Sequence, residues 1–414
     1  MASEISKYES VAAVLEGIIP LLAAGPRIEM VPSRESYGRI AAEDLVSTAD
    51  VPSMDSSHMD GFAIASRDAE EASAANPVVL AVAGETVLGR KPRGRLLRGQ
   101  AYRVPTGSFL PTGADAVVPI EDTSLVGKRI TLSSPVRRGQ FVYRAGGDIR
   151  GGQVVIEAGK AIRAQDVGLA VALGIGSIGV FRRPRVALLA TGSELTDSLS
   201  EAEGVRSSHA SVFKRLVEES GCVAIDLGIA PDVRKEILSG IESGLKEADM
   251  VFTTGGTSVG RMDLLDGVVR SLKPRAMFHG IRMDRGRVSG VAVVEGKPIV
   301  MMPGPAQGAM NAFVLFGLPI IRRMTGRGDG GIVVRAKLKK RWEARRRFPD
   351  FTKVVYVKLT RGSNGMIAEP LAAETESMTI LTKSNAYVVL PERRTFLGVG
   401  SYVDAHLLPG FSFA

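Results

Sequence analysis

The sequence is short of the residues from which disulfide scaffolds and zinc centres are made. It has one cysteine, Cys222, in 414 residues, so no intrachain disulfide can form and a reducing compartment is expected. Its four histidines are scattered and show no zinc spacing. Aromatic residues make up 5%, with Trp342 the single tryptophan. Long apolar runs are missing as well. The longest uncharged stretch, Pro298 to Ile321, is broken by Pro303-Gly304-Pro305, Gly308, Gly317 and Pro319, and reads as strand, turn and helix rather than a membrane span. The opening MASEISKYES has no basic run followed by an apolar core. No secretory signal is therefore expected, and the expected location is the cytoplasm.

What is present is ordinary globular material, 45% hydrophobic and 23% charged. A chain of this length should divide into roughly two to four domains. The net charge of +9 is unevenly placed: residues 335–347 hold eight basic residues against Glu343. A nucleic-acid patch and a solvated face are the two readings. The second is preferred, because only Trp342 and Phe348 offer stacking surface nearby.

Taken in order, residues 1–50 read as largely helical, with apolar positions at helical spacing over 10–22. Asp55 and Asp60 then flank small polar residues in a loop, and Asp60-Gly61 is a turn signal before a short strand. Two readings of this loop stand: one that lends acid groups to a site, and a capped turn. Short β segments over 78–140 suggest a small, mostly β domain. It is closed by GGDIRGG around Asp148, where four glycines imply unusual backbone geometry or only a hinge. A helix is expected over 165–173. Residues 184–324 alternate apolar strands with helices, the pattern of a parallel α/β sheet. Residues 328–414 return to β segments.

Ligands of such sheets sit past the carboxyl ends of the strands. Three of those ends carry TGSEL, TTGGTSVGRMD and MPGPAQG. The strand ending in Thr253-Thr254 and then Gly255-Gly256 would leave bare backbone N–H groups near a helix start, where an anion is held. Asp263 follows, and a carboxylate beside a phosphate site usually means a metal ion between them. Plain turn chemistry is the competing reading. Glu194, the Gly255-Gly256 turn and Pro303-Gly304-Pro305 are expected to share one cleft. Met301-Met302 reads as core rather than a soft-metal site. His209 and His279 read as packed or surface histidines.

These motifs, with MDSSHMDGFA, PTGSFLPTGADAVVPIED, GGDIRGGQ and SMTILTKSNAYVVLPE, run nearly end to end. Together they resemble the molybdopterin molybdenumtransferase family, which includes the E domain of gephyrin. The resemblance implies a multidomain α/β plus β protein. Its parts would be a helical linker domain (1–50 with 145–176), an inserted mostly-β domain (51–144), a central parallel α/β molybdopterin-binding, adenylyltransferase-like domain (177–327) and a C-terminal β domain (328–414). It also implies a homodimer whose cleft is shared between subunits, no membrane, and molybdopterin adenylyltransferase as an upstream partner. The implied reaction inserts molybdate or tungstate into adenylylated molybdopterin, with Mg2+ or another divalent cation, and releases AMP. Position by position, Asp60, Asp148, Glu194, Asp232 and Asp263 match the family's acidic positions. Glu194 and Asp263 would stand near the metal, and Asp60 and Asp148 would come from the partner subunit. Thr191, Gly192, Ser193, Gly255, Gly256, Ser258 and Gly260, with Pro303, Gly304 and Pro305, would line the pterin and phosphate site.

Four segments depart from the family pattern. Arg285-Gly286-Arg287-Val288 stands where Pro-Gly-Lys-Pro is usual, keeping a cation at Arg287, although Arg and Lys differ at an oxyanion site. Gly304-Pro305-Ala306-Gln307-Gly308 replaces Gly-Asn-Pro-Val-Ser, Ser207-Ser208-His209 replaces Asp-Ser-Asn, and His58 replaces a small residue. A non-catalytic cofactor-binding paralogue and a gephyrin-like scaffold are therefore the alternatives to the transferase.

Overall fold

The computed structural model describes residues 8–23, 25–198, 200, 204–256, 264–327, 331–344, 348–372 and 377–410. The first helix, Val11–Ile18, starts at Ser10, whose hydroxyl accepts from the Ala13 N–H at 3.1 Å. Val14 and Ile18 on its inner face are fully buried. Among the described residues the helical expectation for residues 1–50 holds here and in the short turns Ile19–Leu21 and Ser33–Glu35. Beyond Pro26 the chain is extended: Ile28–Pro32 pairs antiparallel with Ser177–Phe181, and its burial alternates with the period of a strand. The expected 165–173 helix runs Ala164–Ala172.

Residues 61–132 contain one six-stranded sheet. Its order is Ala116–Pro119, Gly61–Ile64, Gln100–Val104, Val78–Glu85, Arg129–Leu132 and Ser124–Val126. Phe62, Ile64, Leu80, Ile130 and Leu132 form its core. The chain enters and leaves this region as a narrow neck, where Val51 bridges Ile149 and Ser56–Ser57 pairs with Val142–Tyr143.

The central sheet also has six strands, in the order Val223–Ala230, Arg185–Thr191, Met250–Thr254, Lys297–Met302, Gly290–Val294 and Ala276–His279. The first four are parallel, as the alternating pattern predicts. The last two add an antiparallel edge, so the sheet is mixed. These two strands were not anticipated, because no helix separates Gly290–Val294 from Lys297–Met302. One face, through Phe252, packs on Phe213, Phe313 and Phe316, the other on Ile237, Ile241, Leu265 and Val268. Met301 and Met302 are fully buried, as expected. The helical rod that follows the sheet runs Ala306–Ala312, then a wider turn Phe313–Gly317, then Leu318–Thr325.

The C-terminal region closes into a five-stranded barrel of Val333–Leu338, Gly365–Pro370, Lys353–Gly362, Ala386–Leu390 and Tyr402–Leu407. Its interior holds Leu338, Val355, Val357, Leu359 and Leu390. Among the described residues no helix is long and apolar enough to cross a membrane.

Candidate functional site

Three parallel strands end side by side, and cross-strand bonds clip their ends together. The Gly192 N–H donates to Ala230 O at 3.1 Å, and the Gly255 N–H donates to Met302 O at 3.0 Å. Thr191 is buried and its hydroxyl donates to Thr254 O at 3.3 Å. The double glycine has a steric cause. Gly255 and Gly256 have φ of 86° and 64°. A Cβ on Gly255 would stand 2.2 Å from Thr191 O, and one on Gly256 would stand 2.5 Å from Thr191 Oγ1. The turn thus lies directly on the end of the neighbouring strand.

Next to it, Ser193 and Asp232 hold each other: the Ser193 N–H donates to Asp232 Oδ2 at 3.2 Å and the Asp232 N–H to Ser193 Oγ at 2.9 Å. Asp232 therefore fixes the loop that presents the exposed Glu194.

A cavity of about 340 Å³ opens here and is lined by Thr191, Glu194, Ser207, His209, Gly255 and Pro305. The expected grouping of Glu194, the Gly255-Gly256 turn and the Pro303–Pro305 turn is thus realised as one concave surface, with Gly304 and Pro305 on its wall and Pro303 buried behind them. Ser207 Oγ on this wall is buried and has no hydrogen-bond partner among the described residues. A buried hydroxyl without a partner is costly unless a ligand or water completes it. Burial holds His209 below the usual histidine range, so it stays neutral. Met378, from beyond the barrel's third strand, crosses the cavity edge and accepts from Ser208 Oγ at 3.8 Å. Met378 lies in the SMTILTKSNAYVVLPE motif, which the sequence reading did not connect with this cavity. Ser258, Gly260 and Asp263 lie outside the described residues.

Asp60 and Asp148 are elsewhere. Asp60 is exposed on the inserted sheet and accepts from the Thr106 N–H at 2.7 Å and the Thr106 hydroxyl at 2.9 Å. Those two bonds hold its carboxyl below the usual aspartate value. Asp148 is exposed on the neck, where its N–H donates to Val51 O at 3.0 Å. Among the described residues, no hydrogen bond or ion pair joins either carboxylate to the Glu194 cavity. Asp55 is a clamp: it pairs with Arg144 at 2.7 Å and accepts from the Ala145 N–H at 2.9 Å.

Arg287 does not line the Glu194 cavity; its guanidinium stands 5.3 Å from the centre of the Phe348 ring. Arg285 from the same turn lines a second cavity of about 310 Å³, with Gln307, Trp342, Lys353 and Tyr356. Arg285 has φ of 55°, a conformation that non-glycine residues seldom adopt. Asn311 sustains it by donating to Asp284 O at 3.0 Å and Arg285 O at 2.9 Å, while Tyr356 donates to Asn311 at 2.9 Å. Arg285 also donates to Gln307. Lys353 is 2% exposed, and burial lowers its pKa. The two cavities meet on one helix: Ala306 lines the first and Gln307 the second. Lys353 escaped the sequence reading, and Arg285 entered it only as the start of a segment departing from the family pattern, with the cation assigned to Arg287. A lysine heading the apolar strand KVVYV was the available signal.

Residues 5–174 match the family described as MoeA N-terminal region (domain I and II), and residues 187–323 match a probable molybdopterin binding domain. The crystal structure of a molybdopterin biosynthesis MoeA protein from Pyrococcus horikosii superposes with a TM-score of 0.86 at 29% identity, covering 98% of this chain and 100% of that one. The chain belongs to the MoeA family. Among other MoeA relatives, a molybdopterin molybdenumtransferase from Staphylococcus epidermidis is 29% identical over 383 residues, 92% of this chain and 91% of that protein. One from a Nostoc strain is 28% identical over 407 residues, 96% and 93% of the two chains. The mixed sheets and the barrel are thus those of a MoeA fold.

Proposed function

We propose that this protein is a molybdopterin molybdenumtransferase, which inserts molybdate into adenylylated molybdopterin and releases AMP. One observation carries the reading: a cavity at the carboxyl ends of the parallel strands, walled by the Gly255-Gly256 backbone turn, with the Ser207 hydroxyl buried and unpaired in its side. The Gly255 N–H, expected to be bare, is taken by Met302 O, so the turn offers a close backbone approach rather than that donor, and the strand-end position suits a nucleotide-linked ligand. The second cavity supports a place for the oxyanion, because Arg285 and the buried Lys353 bring two cations to one small space. The helix running from Ala306 to Gln307 would then set the pterin–phosphate and oxyanion positions side by side.

A magnesium ion fits the donors present. Such an ion takes most of its ligands from water and phosphate and one or two from carboxylates. Among the described residues no cluster of three metal-ligating side chains exists, but Glu194 offers one carboxylate at the cavity edge. Asp263 is the second carboxylate in this reading. When bound, the cation would neutralise the charge of the phosphate bridge. Glu194 would hold it, the Ser193–Asp232 pair keeps Glu194 in place, and in this reading Thr191, Gly192, Ser258 and Gly260 would meet the substrate.

Asp60 and Asp148 do not reach the cavity of their own chain, and this supports a homodimer in which each subunit presents them to the other's cleft. The reading keeps the division into 1–50 with 145–176, 51–144, 177–327 and 328–414, a cytoplasmic location, and a molybdopterin adenylyltransferase as supplier of substrate. Arg287, resting on Phe348 rather than in a cavity, favours a second reading, a cofactor-binding paralogue without turnover.

Single-turnover AMP release tests the two. The protein is given magnesium, adenylylated molybdopterin and either molybdate or tungstate. Oxyanion-dependent release that is lost in Asp60→Asn and Asp263→Asn is expected. Binding without release in the wild type selects the second reading.

A further inference from the structure

Between Thr86 and Gln100 the inserted sheet carries the loop VLGRKPRGRLLRG. Arg90, Lys91, Arg93, Arg95 and Arg98 are all exposed. Arg98 lies 3.9 Å from Asp68, but among the described residues no carboxylate forms an ion pair with Arg90, Lys91, Arg93 or Arg95. Like charges crowded in this way repel one another, and an anion relieves that repulsion.

The loop is fixed in place. Leu96 is 6% exposed and its N–H donates to Thr112 O at 2.9 Å. The Thr86 hydroxyl meets the Ser108 hydroxyl at 2.8 Å, and Leu88 Cδ1 stands 3.4 Å from where a Cβ on Gly107 would sit. Thr106, in the same 105–113 segment, holds Asp60. The basic loop and the ionised Asp60 therefore belong to one rigid surface.

We propose that this loop is an electrostatic capture surface for the phosphates of the adenylylated substrate, and that Arg90, Arg93 and Arg95 set the preference for a multiply charged phosphate ester. The inference rests on the reading that Asp60 addresses bound substrate. Small phosphate esters are favoured over nucleic acid because the loop has no aromatic side chain on which bases could stack.

The test replaces Arg90→Gln, Arg93→Gln and Arg95→Gln together in the full-length protein, leaving the Leu96 anchor and Asp60 intact. In single-turnover AMP release, the half-saturating substrate concentration should rise about tenfold at low salt with the limiting rate unchanged. The gap should close by about 0.5 M salt, where exposed charges are screened. Independently of turnover, calorimetric titration with ADP should show the same salt-sensitive difference between wild type and variant. Identical half-saturation, ADP affinity and salt slopes in both proteins overturn the inference. So does a variant that loses only the binding of a DNA duplex. If the wild type releases no AMP, the transferase reading falls, and the ADP titration alone still decides what the loop does.

Discussion

Replacing Gly255 by alanine should damage the protein far more than replacing Gly304, although both border the same cavity. At Gly255 the added Cβ would lie 2.2 Å from the Thr191 carbonyl oxygen, a backbone atom that no rotamer change can move. The φ of 86° adds strain of about 1–2 kcal/mol for any residue with a Cβ. Moving the turn away would also break the bond from the Gly255 N–H to Met302 O, worth about 1 kcal/mol. About 3 kcal/mol is therefore expected, or a fall in melting temperature of about 6–12 °C for a unit of this size. At Gly304 a Cβ would meet nothing within 4 Å, so its alanine variant should melt within about 2 °C of wild type. Scanning calorimetry on the three proteins decides the matter. Equal melting temperatures for the two variants would refute the claim that the turn rests on the Thr191 carbonyl.

Three further outcomes follow from other parts of the structure. Lys339 and Lys340 grip Glu369 at 2.7 and 2.5 Å, and hydrogen bonding, led by Lys339, draws its carboxyl from 4.5 down to about 2. The folded value lies below the unfolded one, so this support for the barrel is full above about pH 4.5 and is lost as pH falls toward 2. In urea titrations the stability gap between wild type and Glu369→Gln should shrink over that range, and a gap that widens on acidification contradicts the assignment. Burial pushes the Cys222 thiol up to about 12, so alkylation at pH 8 should be absent in the native protein and complete in denaturant by mass spectrometry. Tyr356→Phe leaves Asn311 short of a donor in a buried place and should cost about 1–2 kcal/mol by denaturant unfolding, with Trp342 fluorescence as the probe.

The parallel strands and their glycine-bearing ends were legible because each is an apolar run closed by a turn signal, and that periodicity is local. The grouping of Glu194, Gly255 and Pro305 was legible for the same reason, since strand ends in such sheets converge. The antiparallel strands Ala276–His279 and Gly290–Val294 were not, because their pairing depends on which edge remains open. The extended run Ile28–Pro32 was misread as helical: its partner, Ser177–Phe181, lies far away in sequence. Lys353 was missed for a related reason, since a lysine heading a strand reads as solvent-facing until the barrel buries it.

The neck at Val51 and Ile149 has a consequence for engineering. The Asp148 and Ile149 N–H groups both reach Val51 O, at 3.0 and 3.2 Å, so the chain leaves and rejoins the rest of the molecule at almost one point. A segment whose ends already touch can be exchanged with little change in the entropy of closing its loop. The sheet between them is then a transplantable cassette: another relative's insert, or a short glycine–serine bridge, spliced at the neck should leave the central sheet and the barrel folded.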